Sequence, residues 1–271
     1  MPEYSFNASA LGFGGVLTSG GVKTTIPSLA SVALAPTGGE GSALVENYNA
    51  NGISFTRAES RVFGTALTDT IYTTYSDVYI TNLTIFDHLK IAPMNATVSS
   101  TRDLSSSESS FDVRIAYRGI AVDGQEVIPI LDAELCGVPT FDAFQRMVTG
   151  SSESVAMYAS RFGVDPDALV RAIGNPLNPI GGTLVKNLQA PAGITLAQNG
   201  TAIDVPGVGR AHFAEFLFKP GRRRVNLLRI KIGSGVPDTD NGRNIIALED
   251  GSGPGGDLTG GSVEGNGSPP N

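Results

Sequence analysis

The stretch FLFKPGRRRVNLLRIKIG, residues Phe216–Gly233, carries the pattern that decides the fold class. It covers the end of one run of apolar and charged residues, Arg210–Lys219, and the whole of a second run, Arg222–Ile232. Pro220-Gly221 separates the two runs. Pro and Gly favour turns, and the flanking runs are rich in residues that favour strands. The stretch therefore predicts an antiparallel β-hairpin.

The three consecutive arginines at the start of the second run raise the question of a binding site. Side chains alternate along a strand, so Arg223 is expected to point away from Arg222 and Arg224. We interpret the cations as a hairpin rim that discourages edge pairing. A docking patch for an acidic protein partner, formed by Arg222, Arg224 and Arg229, remains an alternative, as does a site for phosphate or anionic lipid.

Similar strand patterns extend over roughly the first 135 residues of the chain. Short apolar runs are separated by turn sequences such as Asn51-Gly52 and Asp123-Gly124, which are typical of hairpins. The segment Val78–Phe86 has apolar residues on both faces, as expected for a strand with neighbouring layers. We predict an all-β fold, mainly an antiparallel sandwich of Greek-key type, with a barrel as the alternative.

A change of period predicts a short α-helical insertion at about residues 140–180. Apolar residues recur there at helical spacing behind Thr140, a predicted N-cap, and Asp165-Pro166 starts a further helix. The predicted organisation is a β-rich domain over 1–233 that contains this insertion, followed by a flexible acidic Gly-rich tail over 234–271. The tail has almost no apolar residues to bury.

Composition excludes several classes of function. The 271 residues carry a net charge of −7, which argues against a nucleic-acid partner because such binding depends on clustered cations.

No apolar run has membrane-spanning length, and the start MPEYSFNASA lacks the pattern of a secretory signal. A cytoplasmic location is the default expectation, with export to the cell surface or exterior by a signal-less route as the alternative. The single cysteine, Cys136, excludes an internal disulfide framework.

The segment Tyr158–Pro179 of the insertion has two possible interpretations as a binding unit. Its spacing matches a helix-turn-helix, but Asp165 and Asp167 stand where a DNA reader needs cations. The same segment resembles the middle of LysM domains, and that resemblance implies binding to glycans that contain N-acetylglucosamine. The residues that would contact such a glycan are Tyr158, Arg161, Asn175 and Asn178.

Candidate catalytic and metal-binding groups are few. The only histidines are His88 and His212, and no nucleophile elbow, phosphate loop or metalloprotease motif occurs. Asp132 and Glu134 are spaced to share a strand face and could support a carboxylate-dependent hydrolase. No cofactor is expected, although oxygen donors of the kind that Ca²⁺ accepts occur in the C-terminal part of the chain, at Asp238, Asp240, Asn241 and Asp257.

Most of residues 4–233 resembles a family of bacterial proteins of no assigned function. The similarity rests on segments such as YSFNASALGFGGVL, LAPTGGEGSALVENY and RIAYRGIAVDGQEV, and on the hairpin quoted above. The succession of segments is also similar to that of "choice-of-anchor" exported β-proteins. This resemblance implies a β-rich fold and a surface role, and it transfers no catalytic residue.

We expect from these observations a non-catalytic structural or protein-interaction protein, for which self-assembly and surface association are two possible forms. The expected partner is another protein or a second copy of the chain. A glycan-binding module that uses the helical insertion is the alternative, and a hydrolase is a further one.

Overall fold

The computed structural model describes residues 4–19, 22–106, 109–175, 179–232 and 257–268. The described part contains eighteen β-strands, four α-helices and one 3₁₀-helix. The strands are β1 (Ser5–Ser19), β2 (Val22–Ala33), β3 (Gly39–Ala50), β4 (Ile53–Ala66), β5 (Ile71–Thr81), β6 (Leu83–Ile85), β7 (Leu89–Ile91), β8 (Met94–Asp103), β9 (Ser109–Tyr117), β10 (Ile120–Val122), β11 (Gln125–Leu131), β12 (Ile180–Thr183), β13 (Val185–Gln189), β14 (Thr195–Ala197), β15 (Ala202–Val205), β16 (Gly209–Lys219), β17 (Arg222–Ile232) and β18 (Asp257–Ser268). The helices are α1 (Ala133–Cys136), α2 (Phe141–Thr149), α3 (Ser152–Phe162), α4 (Pro166–Ile173) and the 3₁₀-helix η1 (Gln198–Gly200).

Two antiparallel sheets form a sandwich, which confirms the predicted fold class. Sheet A has the strand order β14-β15-β16-β17-β18-β1-β2, and β12 also pairs with β16. Sheet B has the order β13-β11-β10-β7-β6-β4-β5-β8-β9, and β3 also pairs with β4. The sheets do not close into a barrel, and the four short helices form the insertion.

In sheet B, β5 and β6 are two halves of one longer strand, as are β7 and β8, and β9 and β10. When each of these is counted as one strand, the described strands follow one another as a meander rather than a Greek key. The register of β5 against β8 continues in β6 against β7: Ile80 pairs with Met94, and Leu83 pairs with Ile91. The same continuity joins β8 and β9 to β7 and β10. Neighbours in sequence therefore pair in space, as is usual for short connections.

A transverse crease crosses sheet A at the same level in five neighbouring strands. The crease is one row of residues that are not paired across the strands: Ala214, Leu227, Gly261, Gly12 and Ala30. The residues immediately before and after each of them are paired with the neighbouring strand in the same register. Three of the five have positive φ: 47° at Ala214, 66° at Gly261 and 49° at Ala30. We call this row the crease row.

The crease reverses which side chains face the interior of the sandwich. In β1 the buried side chains are Phe6, Ala8 and Ala10, at the spacing of two that a strand dictates, but the next is Phe13, three residues further on. In β17 burial alternates before Val225 and after Leu228, and all four residues from Val225 to Leu228 are buried. From β16 to β1 the cross-strand register is kept through the crease, whereas β1 and β2 shift register just beyond it, between Phe13 and Gly15.

A tyrosine from the opposite sheet supports the crease. The hydroxyl of Tyr117, at the end of β9, accepts a hydrogen bond from the Ala214 N–H at 3.0 Å and donates one to the Leu227 carbonyl at 2.6 Å. These two backbone groups belong to the row that the sheet ladder skips. The hydroxyl thus satisfies a buried donor and a buried acceptor that would otherwise be unpaired.

The helical insertion packs on the edge of the sandwich through aromatic rings. Phe144 of α2 and Phe162 of α3 lie 5.9 Å and 5.5 Å, respectively, from the ring of Phe216 on β16. The predicted caps are confirmed: Thr140 accepts from the N–H of Ala143, and Asp165 accepts from the N–H of Ala168. None of the helices in the described ranges is long and apolar enough to cross a membrane.

The predicted flexible tail over 234–271 is wrong for residues 257–268, while 233–256 and 269–271 lie outside the described residues. The segment 257–268 forms β18 in sheet A, where it pairs with β17 on one side and β1 on the other. Leu258 and Val263 are fully buried there. Composition misled the prediction because a central strand that packs through backbone and glycine needs few large side chains.

We predict that Tyr117→Phe lowers the free energy of unfolding by about 1–3 kcal/mol, because it leaves the Ala214 N–H and the Leu227 carbonyl buried without a partner. Urea denaturation followed by circular dichroism measures the change. Tyr72→Phe is the matched control, since the Tyr72 hydroxyl bonds an exposed carbonyl at Asp69, and we expect a change within about 0.5 kcal/mol. Equal effects of the two substitutions would contradict the role of Tyr117.

Candidate interaction surface

The predicted hairpin and the orientation of its arginines agree with the structure. β16 and β17 pair along their whole length, from Gly209 with Ile232 to Lys219 with Arg222. Arg223 is buried, and its guanidinium donates to the carbonyls of Val138 and Leu135 at 2.6 and 2.9 Å. It therefore ties the hairpin to the start of the insertion.

The other arginines of the predicted docking patch have carboxylate partners within the chain. Arg222 and Arg224 share one face of β17 and both bind Glu264 of β18, with nitrogen–oxygen distances of 2.6 and 2.7 Å. Arg229 forms two hydrogen bonds to Glu215 of β16, at 2.6 and 2.7 Å. Within the chain the three arginines of the patch thus share two carboxylates, and the hairpin sequence contains no sign of Glu264, which lies 42 residues after Arg222 and 40 after Arg224.

The pKa of Glu264 reflects its two arginine partners. Burial of the carboxyl acts to raise its pKa, but the hydrogen bonds and positive charges of Arg222 and Arg224 outweigh burial and hold the pKa below its usual value. The charged form is therefore favoured in the folded chain. Glu264 also fixes β18 to β17, since its two arginine partners lie on that neighbouring strand.

Of the residues predicted to contact a glycan, the three that the structure describes are not brought together on a surface. Tyr158 and Arg161 are only 2% and 7% exposed. The Arg161 guanidinium lies over the Tyr158 ring at 5.2 Å and donates to Asp132 at 2.5 Å. Asn175 is exposed beyond α4, and Asn178 lies outside the described residues. Tyr158 and Arg161 hold the insertion against the sandwich, and glycan contact by the set of four stays a prediction.

Among the described residues, the catalytic candidates are engaged in separate local contacts. Asp132 caps α1 and pairs with Arg161, whereas Glu134 is exposed in that helix. His88 contacts Asp123 at 2.6 Å on the surface. Asp257 begins β18, and the remaining calcium candidates, Asp238, Asp240 and Asn241, lie outside the described residues. Within the described ranges no three acidic, histidine or cysteine side chains are grouped as a metal site would require.

The outer face of sheet B presents the largest grouping of exposed apolar side chains that we identify. Four of the ten exposed large hydrophobic residues in the described chain lie on it, in the adjacent strands β3, β4 and β5. They are Leu44, Phe63, Tyr75 and Tyr79, with 51%, 41%, 38% and 36% of their surface exposed. We call this surface the aromatic face.

The sheet register sets the arrangement of the aromatic face. Phe63 pairs directly with Tyr75, and two residues further along β5 Asp77 pairs with Arg61. The next pair is Glu59 with Tyr79. Directly opposed side chains lie about 5 Å apart, so a row of charges separates the Phe63–Tyr75 pair from Tyr79.

Ion pairs hold the charged row in place. Glu59 accepts from Arg57 at 2.6 Å and also from Arg61, and these two hydrogen bonds hold the pKa of the Glu59 carboxyl below its usual value. Asp77 accepts from Thr97 of β8 at 2.8 Å. Burial and the neighbouring Asp77 raise the pKa of the Tyr75 hydroxyl, which stays protonated as a hydrogen-bond donor.

The aromatic face was missed at the sequence level, although its signal was present. Arg57, Glu59, Arg61 and Phe63 occupy every second position along β4, the pattern of a strand with one solvent-exposed face. The neighbouring strand supplies Tyr75, Asp77 and Tyr79 at the same spacing of two. What the sequence could not provide is the register that places the two sets side by side.

We predict that Glu264→Gln lowers the free energy of unfolding by about 3 kcal/mol at pH 7, because Arg222 and Arg224 lose their shared counter-charge. The folded pKa of Glu264 is depressed, so its contribution is complete above the usual Glu value of about 4.3 and is lost as the pH falls below it. The difference between wild type and variant should therefore be constant above about pH 5 and shrink at lower pH.

Urea denaturation between pH 3 and pH 7 measures that difference. Glu126→Gln, a substitution at an exposed position of β11, is the control and should change stability little at any pH. A gap between wild type and Glu264→Gln that persists unchanged at the lowest pH would refute the assignment.

Comparison with known proteins gives one match. The model of a domain family described as a domain of unknown function, DUF8256, matches residues 4–159. Searches of curated proteins and of solved structures find no match. The matched region contains the whole aromatic face and ends within α3. Since it spans more than half of the chain, the protein belongs to the DUF8256 family.

Proposed function

We propose that this protein is a non-catalytic protein-interaction module that associates with a second copy of itself through the aromatic face. The observation that supports this most directly is the cluster of Leu44, Phe63, Tyr75 and Tyr79 on one exposed sheet surface. Exposed apolar side chains grouped on one face of a folded domain are typical of an interaction site, and here the charged pair of Arg61 and Asp77 lies between the Phe63–Tyr75 pair and Tyr79.

The aromatic face contains aromatic and arginine residues, which are enriched at protein interfaces, together with four carboxylates, which are depleted there. The three register rows across β3, β4, β5, β8 and β9 contain two tyrosines, one phenylalanine and two arginines, and they contain no lysine. Tyrosine, phenylalanine and arginine are enriched at interfaces, and lysine is depleted. Arginines held by carboxylates, as Arg57 and Arg61 are, lose less side-chain freedom on binding.

Charge complementarity favours a second copy as the partner. A two-fold axis that runs along the strands, in the interface and between β4 and β5, superposes the β4 of one copy on the β5 of the other. Arg61 then faces Asp77 of the second copy, and Phe63 faces Tyr75 of the second copy. The register that pairs these residues within one chain makes the surface complementary to itself.

The size of the face suits such a dimer. Five strands at about 4.8 Å spacing and roughly nine residues at about 3.3 Å each give a surface of roughly 700 Å² per copy. A standard interface buries about 800 Å² per partner. Two sheets can pack face to face in this way at about 10 Å separation.

A charge-swap experiment tests the proposal. Arg61→Glu and Asp77→Arg each create like-charge contacts across the proposed two-fold axis, so each variant alone should dimerise at least about tenfold more weakly than the wild type. An equimolar mixture of the two variants restores opposite charges at both contacts and should form a heterodimer. Analytical ultracentrifugation over a range of concentrations measures the dissociation constants.

Tyr79→Asp provides a test that does not depend on the orientation of the axis, and Leu196→Asp is its control. Leu196 is similarly exposed, at 40%, but lies on β14 in the other sheet. Tyr79→Asp should abolish dimerisation, whereas Leu196→Asp should leave it unchanged. A wild-type chain that stays monomeric at high concentration would overturn the proposal, as would retention of wild-type chain by insoluble peptidoglycan that is lost in Tyr79→Asp without any self-association.

A further inference from the structure

The strand β3 forms an open edge of sheet B. It pairs with β4 along one side, from Gly39 with Gly64 to Ala50 with Ile53, and no other strand of the described chain pairs with it. Alternate backbone N–H and C=O groups of an edge strand point away from its neighbour. Among the described residues, no hydrogen bond from any element other than β4 reaches the backbone of β3. This strand of twelve residues therefore presents one side of its backbone to a partner.

The other edge strands of the described sheets carry features that prevent pairing with a further chain. β12, β13 and β14 are only four, five and three residues long. β2 contains Pro27 where its register against β1 shifts. β9 is joined to the start of the insertion by a hydrogen bond of 2.7 Å from the Phe111 N–H to the Pro139 carbonyl. Short strands, proline, bulges and covering segments are the usual protections of an edge, whereas β3 is long and contains no proline or lysine.

The side chains of β3 define what a paired strand must carry. Asn47, with φ 53°, is the one irregular position, so the segment before it is straight. Ala43 and Val45 on the inner face are only partly buried at the margin of the core, and inward apolar side chains on an added strand would extend that core. Four side chains on the outer face are exposed: Glu40, Ser42, Leu44 and Glu46.

Like charges disfavour a second copy of β3 as the paired strand. A two-fold axis through Ala43, perpendicular to the sheet, would pair the segment 40–46 with itself. Glu40 of each copy would then lie directly opposite Glu46 of the other, and like charges placed directly opposite on neighbouring strands are destabilising. A strand with cations at these two positions would instead form two ion pairs.

The charge of the chain and the exposure of Glu46 also favour a basic partner. Glu46 lies 3.6 Å from Arg57, and both side chains are about half exposed, so this pair is weak and leaves the carboxylate accessible. The net charge of −7 adds a long-range attraction for a positively charged segment.

We propose that β3 binds an extended, positively charged segment of another protein by strand addition. The added strand runs antiparallel to β3, with basic residues opposite Glu40 and Glu46 and an apolar residue opposite Leu44. Backbone hydrogen bonds supply affinity in this mode of binding, and alternate side chains supply specificity. The pairing groups lie in the plane of the sheet and not on the aromatic face, so binding does not depend on the proposed self-association.

Fluorescence anisotropy on the full chain tests the proposal with the labelled heptapeptide Lys-Val-Leu-Val-Thr-Val-Lys, the lysine peptide. In the proposed register its first lysine lies opposite Glu46 and its last lysine opposite Glu40. The lysine peptide should bind with a Kd below about 1 mM. The glutamate peptide, in which glutamate replaces both lysines, should bind at least about tenfold more weakly.

Backbone methylation separates strand addition from a contact made by side chains alone. One version of the lysine peptide is N-methylated at its second, fourth and sixth residues, and another at its third and fifth. Only alternate N–H groups of an added strand face its neighbour, so one version should lose binding and the other should keep it. Binding kept by both versions would overturn strand addition.

A charge reversal on β3 tests the register. The double variant with Glu40→Lys and Glu46→Lys should prefer the glutamate peptide over the lysine peptide by at least about tenfold, a gain that unfolding could not produce. Glu126→Lys, at an exposed position of β11 in the same sheet, is the matched control and should keep the wild-type preference.

Three results would each overturn the proposal: no binding of the lysine peptide to the wild type, equal binding of the two peptides, or an unchanged preference in the double variant. Tyr79→Asp should bind the lysine peptide as the wild type does, so this proposal and the proposed self-association can fail separately. Dimers of Tyr79→Asp that the lysine peptide dissociates would assign the β3 edge to a second copy and would also overturn the proposal.

Discussion

The crease is the constraint on which the rest of this structure depends. At the crease, the side of each strand that faces the core changes. The next core residue along the strand therefore lies three positions further on, rather than two. Sheet B takes the same step, for example from Ile80 to Leu83, with Asn82 at φ 53° between them. Because both sheets turn at one level, their interior faces remain matched, and Tyr117 can bridge from one crease to the other.

The sequence specified the local structure well because the relevant signals are local. The hairpin around Pro220-Gly221, the N-caps at Thr140 and Asp165 and the opposed orientation of Arg223 all follow from turn chemistry, capping and the period of two. Each of these depends on residues within a few positions of one another. The sandwich class follows as well, since alternating segments without long helices have few other ways to bury their apolar faces.

What the sequence could not reveal depends on contacts between distant segments. No residue near Ala214 or Ala30 marks either as a position of positive φ, since alanine seldom adopts it. The buried steps of three within strands were a usable signal, but that spacing is also the beginning of a helical period. The pairing of β18 with β1 joins opposite ends of the chain, and the ion pairs of Glu264 join residues 42 and 40 positions apart. Neither could be found without the whole fold.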